Sequence, residues 1–201
     1  MTARVTIQTG DFNLSDEVDA LRKNDKRVGA ICTFTGTVRD RNMAPTLSTA
    51  CGSLPPEGAL SLRPGEAGSV APAGEDRAPT LDNSGVANDS VLSMELEHYP
   101  GMTEKAIEAM IDEAMLRFDI FGARVIHRVG LLQPLDQIVM VAVISAHRGE
   151  SFKACEFLMD YLKTQAPLWK KEETPAGARW VDARVSDDAA LAKWGIGALN
   201  A

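Results

Sequence analysis

Several cationic side chains of this chain stand where regular elements should end, which is where sites are usually built. Arg39 and Arg41 follow a run rich in Thr, Val, Ile and Phe. His147-Arg148-Gly149 follows the most apolar run. Lys163 precedes Pro167 by one helical turn, Lys170 and Lys171 come just after that proline, and Arg184 ends a short apolar-containing run. A guanidinium presents a rigid fork of donors that matches a phosphate, and an ammonium is a mobile point charge that can also act as a nucleophile or base once deprotonated. Brought together in an acidic chain, such groups would form a site for an anion.

Each has an ordinary reading when taken alone. Lys163 near a helix C-terminus complements the macrodipole. Lys170 and Lys171 beside Glu172 and Glu173 look like a solvated charged strip. Arg148 could be a strand-end charge, His147 a satisfied polar residue, and Arg184 a partner of Asp182 or Asp187. His98 and His127 fall on strand-like runs without ligand spacing, so they read as structural. Other chemistries find less support. No glycine-rich dinucleotide or P-loop motif occurs, nor a Gly-x-Ser-x-Gly elbow, nor paired carboxylates. The three cysteines, Cys32, Cys51 and Cys155, are far apart with no CxxC, which suits reduced thiols in a cytoplasmic protein and implies no metal.

Composition limits the partners. The chain has 201 residues, 45% hydrophobic and 24% charged, with a formal net charge of −7. That is a globular domain with a real core and no broad basic surface for nucleic acid. No apolar run reaches the roughly 20 residues that span a bilayer.

The elements that must position the cations follow from periodicity. Arg4 to Thr9 reads as a strand, and Ser15 as the cap of a helix to about Asn24. Val28 to Val38 reads as a strand, with Gly36 marking a bulge or close approach. From about Ala44 to Asp89 there is no aromatic residue, and six of the ten prolines fall there. Such a segment buries too little apolar area to offset its ordering entropy and is read as a flexible insertion within one domain spanning residues 1–201. Val91 to His98 is the next strand, the expected neighbour of Val28 to Val38 by sequence order. Thr103 caps a helix to about Asp119 whose stripe is Ile107, Met110, Ile111, Ala114 and Phe118. Arg124 to Val129 is a strand, with a hairpin around Pro134. Ile138 to Ala146 is a central strand covered on both faces. Ser151 begins a helix that Pro167 stops. Arg179 to Arg184 is a strand, and Ser186 to Trp194 a short final helix. The order predicts an α+β fold with a mixed or antiparallel sheet.

The strings themselves carry a resemblance. Phe34-Thr35-Gly36-Thr37-Val38-Arg39, Glu97-His98-Tyr99-Pro100-Gly101-Met102, Ile126-His127-Arg128-Val129-Gly130, Ser145-Ala146-His147-Arg148, the run Asp160 to Glu172, and Arg179-Trp180-Val181 resemble, in order, motifs of the molybdopterin synthase large (catalytic) subunit family. They cover nearly the whole chain outside the Pro/Gly-rich segment, which departs from the shorter loop expected of the family. The resemblance implies an α/β-hammerhead-like fold and a homodimer of large subunits within a heterotetramer. Each would hold a small ubiquitin-like subunit with a thiocarboxylated Gly-Gly tail. The implied activity is sulfur transfer from that tail to cyclic pyranopterin monophosphate, giving the molybdopterin dithiolene, with no cofactor of the chain's own. By position, Lys163 resembles the principal catalytic lysine and Lys170 the second. Arg39, His147 and Arg148 resemble the pocket for the substrate phosphate, and Arg184 an arginine supplied by the other large subunit. The alternative is a non-catalytic receptor for a Gly-Gly-tailed protein, against which the presence of both lysines argues.

Overall fold

The computed structural model describes residues 3–41, 90–181, 190 and 193–195. In chain order the elements are β1 (Val5–Gln8), α1 (Leu14–Arg22), β2 (Ala30–Thr37), β3 (Ser93–His98), α2 (Met102–Arg117), β4 (Ile120–Arg128), β5 (Gly130–Leu132), β6 (Gln137–Ser145), α3 (Arg148–Gln165), β7 (Leu168–Thr174) and β8 (Gly177–Val181). They form two four-stranded sheets, ordered β1-β4-β6-β2 and β5-β3-β7-β8. Only β1 and β4 run parallel, so the α+β expectation with mixed and antiparallel sheets holds.

Strand β6 is the centre of the first sheet, and its unbroken apolar run has a direct cause. Val139, Val141 and Val143 pack with Ile107, Ile111, Phe157 and Leu158 of α2 and α3 on one face. Met140 and Ala142 pack with Phe12, Ile126 and the half-buried side of α1 on the other. Both sides of the pleat are covered, so no polar alternation survives. Phe157 anchors α3 further, with the rings of Phe118, Tyr161 and Trp194 set edge-on at 5.6, 5.6 and 5.5 Å. Such pairs add about 0.5–1.5 kcal/mol each beyond area burial.

The second sheet closes on a smaller cluster of Val38, Met94, Leu96 and Leu132. The chain crosses between sheets at Gly130, whose φ of +85° is a conformation other residues rarely adopt. The hairpin expected around Pro134 is therefore only a turn. Asp136 N–H does close on Gln133 O at 3.0 Å, but β5 pairs with β3 and β6 with β2 and β4. Likewise β2 and β3 are not neighbours; they belong to different sheets.

Other local expectations shift with the capping chemistry. Asn13, not Ser15, caps α1, its Oδ1 accepting from Ser15 N at 2.9 Å. Helix α2 begins one residue before Thr103, because Gly101 N–H donates to Glu104 Oε2 at 2.7 Å and fixes the first turn. Thr103 is instead fully buried. Helix α3 begins at Arg148, three residues before Ser151. The bulge expected at Gly36 is present between Gly36 and Thr37. Strand β7 was not legible: Lys170, Glu172 and Thr174 face inward, and a run of charges does not look like a buried face. Strand β8 ends at Val181; the rest of the Arg179 to Arg184 run, the final helix and the 44–89 insertion fall outside the described residues.

The residues flanking that insertion are described. Arg41 bridges Ser90, and Val91 N–H donates to Asp40 O at 2.8 Å. The two ends are therefore adjacent whatever lies between. Replacing residues 44–89 by a short Gly/Ser loop, roughly six-fold shorter, should keep the fold and lower closure entropy by about 1.5 kcal/mol. Urea unfolding of the shortened chain checks this; an insoluble product would show that the segment contributes to the core.

Acid should act through His127. It is buried on β4 with Nδ1 2.8 Å from Arg128 O, and burial pushes its pKa down to about 4, with His98 adding a smaller push. A histidine held neutral in the fold takes up its proton more readily unfolded. The unfolded chain therefore binds more protons between pH 6.5 and 4, and stability falls as pH drops through that window. About 2 kcal/mol should be lost between pH 7 and pH 5. Urea titrations at the two pH values measure it, and His127→Asn should flatten the difference.

Candidate active site

The first sheet and α3 place the expected residues at two ends of the molecule. Strand β6 runs from Gln137 to Ser145 and α3 returns antiparallel to it, so the C-terminus of α3 lies at the Thr37–Gln137 end of β2 and its N-terminus at the Ala30–Ser145 end. Arg39 follows Val38 at the first end. Val38 is held on both sides: its N–H donates to Asp136 O and its carbonyl accepts from Leu135 N–H, both at 2.9 Å. Arg39 is exposed and has no ion pair among the described residues.

Lys163 sits exposed in the last turn of α3. Three residues beyond the end of that helix, β7 starts at Leu168 and carries Lys170 opposite Leu96, a member of the cluster around Val38. Arg39, Lys163 and Lys170 thus share one end of the fold.

Lys170 is not part of a solvated strip. Its Nζ lies 3.0 Å from Oε1 of Glu172, which is 1% exposed. The other carboxylate oxygen accepts from Arg179 Nη2 at 3.2 Å, across the β7–β8 pair where Glu172 and Arg179 are in register. A carboxylate this enclosed is tolerable only with cations around it. Glu172 and Arg179 were missed as site residues. The available signal was positional: Lys170 and Glu172 are two apart on one strand and so share a face.

His147 and Arg148 occupy the opposite end. His147 is the N-cap of α3 and Arg148 its first residue; both are exposed, and Arg148 has no ion pair among the described residues. Arg148 and Lys163 are fifteen positions apart on one helix, about 22 Å along its axis at 1.5 Å per residue. Arg39 therefore lies apart from His147 and Arg148, and the phosphate pocket expected of these three is not assembled within one chain. Arg184 lies outside the described residues.

The two described thiols, Cys32 and Cys155, have no part in this arrangement. Burial pushes the Cys155 thiol up to about 12, and Cys32 beside it adds to the shift, so Cys155 stays protonated and a poor nucleophile. No group of three or more His, Cys, Asp or Glu that could hold a metal occurs among the described residues. No described helix is long and apolar enough to cross a membrane.

What the arrangement offers is two separated sets of cations, one of them built around a lysine pair and a buried carboxylate. Known proteins identify its setting. A family model described as MoaE protein matches residues 80–165. A protein of Ralstonia nicotianae called molybdopterin synthase catalytic subunit is 48% identical over 98% of this chain and 87% of its own length. A solved structure of the molybdopterin biosynthesis MoaE protein from Burkholderia ambifaria is 46% identical, with a TM-score of 0.65 over 97% of this chain and 99% of that one. At the level of fold alone, a Helicobacter pylori chain 15% identical matches with a TM-score of 0.56 over 90% and 92%; its structure is titled as a complex of subunits 1 and 2 of molybdopterin-converting factor. On the full-length identity, the chain belongs to the MoaE family of molybdopterin synthase catalytic subunits, enzymes of molybdenum cofactor biosynthesis.

Proposed function

We propose that the chain transfers sulfur from the C-terminal thiocarboxylate of a small ubiquitin-like subunit to cyclic pyranopterin monophosphate, forming the molybdopterin dithiolene. The observation that carries this reading is the grouping of Arg39, Lys163 and Lys170 at one end of the fold. Donor tail and substrate are both anions, and their repulsion must be offset before sulfur and carbon can approach. Fixed cations offset it without reorganising during the reaction. The tethered donor adds the advantage of proximity. Lys163 serves as the principal catalytic group, as base or transient nucleophile. Lys170, oriented by Glu172, receives the tail and substrate. The small subunit enters this reading by the family resemblance and by the complex named for the Helicobacter pylori relative.

The 22 Å between Arg148 and Lys163 adds a constraint. A phosphorylated pterin cannot touch both ends of α3 in one chain. If His147 and Arg148 hold the phosphate while Lys163 acts on the same molecule, the two sets come from different large subunits across a two-fold axis. The homodimer is then part of the active site, and Arg184, expected to act in trans, belongs to the same composite arrangement.

Lys163→Ala should fold, bind the small subunit and lose most turnover, and Lys163→Arg should not restore it, because a guanidinium does not shed its proton. Dithiolene formation from thiocarboxylated small subunit and precursor is the assay. Near-normal turnover in the alanine variant would leave a receptor for a Gly-Gly-tailed protein as the better reading.

The composite site has its own test. Mixed and exchanged Lys163→Ala and Arg148→Ala chains should regain about a quarter of wild-type activity, since statistical mixing leaves one intact site in half the dimers. Exchange without recovery would place the two residues in one chain's site or in separate steps. Pairing Lys163→Ala with Arg184→Ala tests Arg184 in the same way.

A further inference from the structure

Two hydroxyls with no role in the chemistry lie beneath the His147–Arg148 turn. Ser145, the last residue of β6, is fully buried, and Ser151, in the first turn of α3, is 1% exposed. Their Oγ atoms are 2.6 Å apart, and Ser145 Oγ lies 2.8 Å from His147 O. A serine has one hydroxyl proton. Ser145 gives its proton to the His147 carbonyl, so it receives one from Ser151. The relay runs Ser151 to Ser145 to His147 O. That carbonyl also accepts Glu150 N–H at 3.2 Å.

The backbone beside the relay is held as closely. Gly29 N–H donates to Ser145 O at 3.0 Å, and a Cβ on Gly29 would lie 2.4 Å from Ala146 O. The two residues that lead into His147 are thus held between Gly29, just before β2, and the first turn of α3. Meanwhile Arg148 stands at a helix N-terminus, where the macrodipole disfavours a cation, and has no carboxylate partner among the described residues. Among the described residues no ion pair fixes its side chain, and the turn beneath sets its backbone.

We infer that Ser145 and Ser151 are positioning residues for the substrate-side cations: their hydroxyl relay fixes the His147 carbonyl, and with it the direction in which the first turn of α3 presents His147 and Arg148 to the substrate phosphate. This rests on the reading of Arg148 as a phosphate ligand. The competing account is that two buried hydroxyls merely satisfy each other in the core.

The two accounts differ in steady-state kinetics of the full chain with thiocarboxylated small subunit and cyclic pyranopterin monophosphate. Ser151→Ala should raise KM for the precursor about ten-fold and leave kcat within about two-fold. The double variant Ser151→Ala/Arg148→Ala should lose clearly less than the product of the two single losses, because the relay acts through the turn that carries Arg148 and only its effect on His147 remains. Ser145→Ala, which removes the donor to His147 directly, should give the same pattern and serves if Ser151→Ala does not fold. Unchanged KM with only a lower melting temperature, or losses that multiply in the double variant, would reduce the relay to core satisfaction. If Arg148→Ala itself leaves KM unchanged, the phosphate reading fails and the positioning inference fails with it. If Arg148→Ala raises KM and neither serine variant does, the positioning inference alone is overturned.

Discussion

The packing of α3 against the first sheet fixes where every described cation of the site can be. The helix is straight-jacketed by Ala154, Cys155, Phe157, Leu158 and Leu162 along one face, and each large side chain there contributes about 1.5–3 kcal/mol of burial. It cannot slide or tilt without opening cavities in a core that packs at crystal-like density. Its two ends therefore act as fixed posts. One carries His147 and Arg148, the other Lys163, and the short link to β7 sets Lys170 beside the second post.

Much of this was legible in the sequence because the core obeys simple periods. The stripe Ile107, Met110, Ile111 and Ala114 predicted α2 and is buried as expected. The continuous run in β6 predicted a strand covered on both sides. Lys163 in a last helical turn and His147-Arg148 after the central strand were placed correctly from the proline stop and the end of the apolar run. The grouping of Arg39 with the lysines was less accessible, since it depends on the antiparallel return of α3 along β6, a tertiary fact.

What was not legible has a physical reason in each case. Strand β7 hides because its inward positions hold the half-buried Lys170 and the buried Glu172, whose burial is made tolerable by Lys170 and by Arg179 on a strand that had not been paired with it. Strand β5 is only three residues long and takes its place from the sharp turn at Gly130, so it leaves almost no pattern. The capping errors share a cause too: Asn13 and the Gly101–Glu104 contact compete with nearby Ser and Thr for the same orphan N–H groups, and residue type alone does not decide which wins. The separation of Arg39 from His147 and Arg148 within one chain has a different reason. Sequence motifs carry identity without distance, and fifteen helical residues are a long way.

The buried carboxylate gives the second post its character. A cluster of lysines and arginines alone would attract any anion and would repel itself, splaying long side chains into solvent. Glu172 sits between Lys170 and Arg179 and binds both, so the charge of that corner is partly balanced before any ligand arrives. The balance lowers the gross attraction for an anion but sets the lysine's direction, and direction is what a reaction between two anions needs most. Arg39 and Arg148, lacking such a partner among the described residues, retain their full field for a ligand. On the proposed reading the chain separates two tasks that a uniform basic patch would confuse: guanidiniums without an ion pair among the described residues to attract a phosphate, and a paired lysine held ready near the helix end that bears Lys163. The same reading accounts for how a protein of net charge −7 would serve two negatively charged partners. The acidic remainder disfavours loose binding of either one elsewhere, while Arg148 at one end of α3 and Arg39, Lys163 and Lys170 at the other act over the few ångströms that unscreened contact requires.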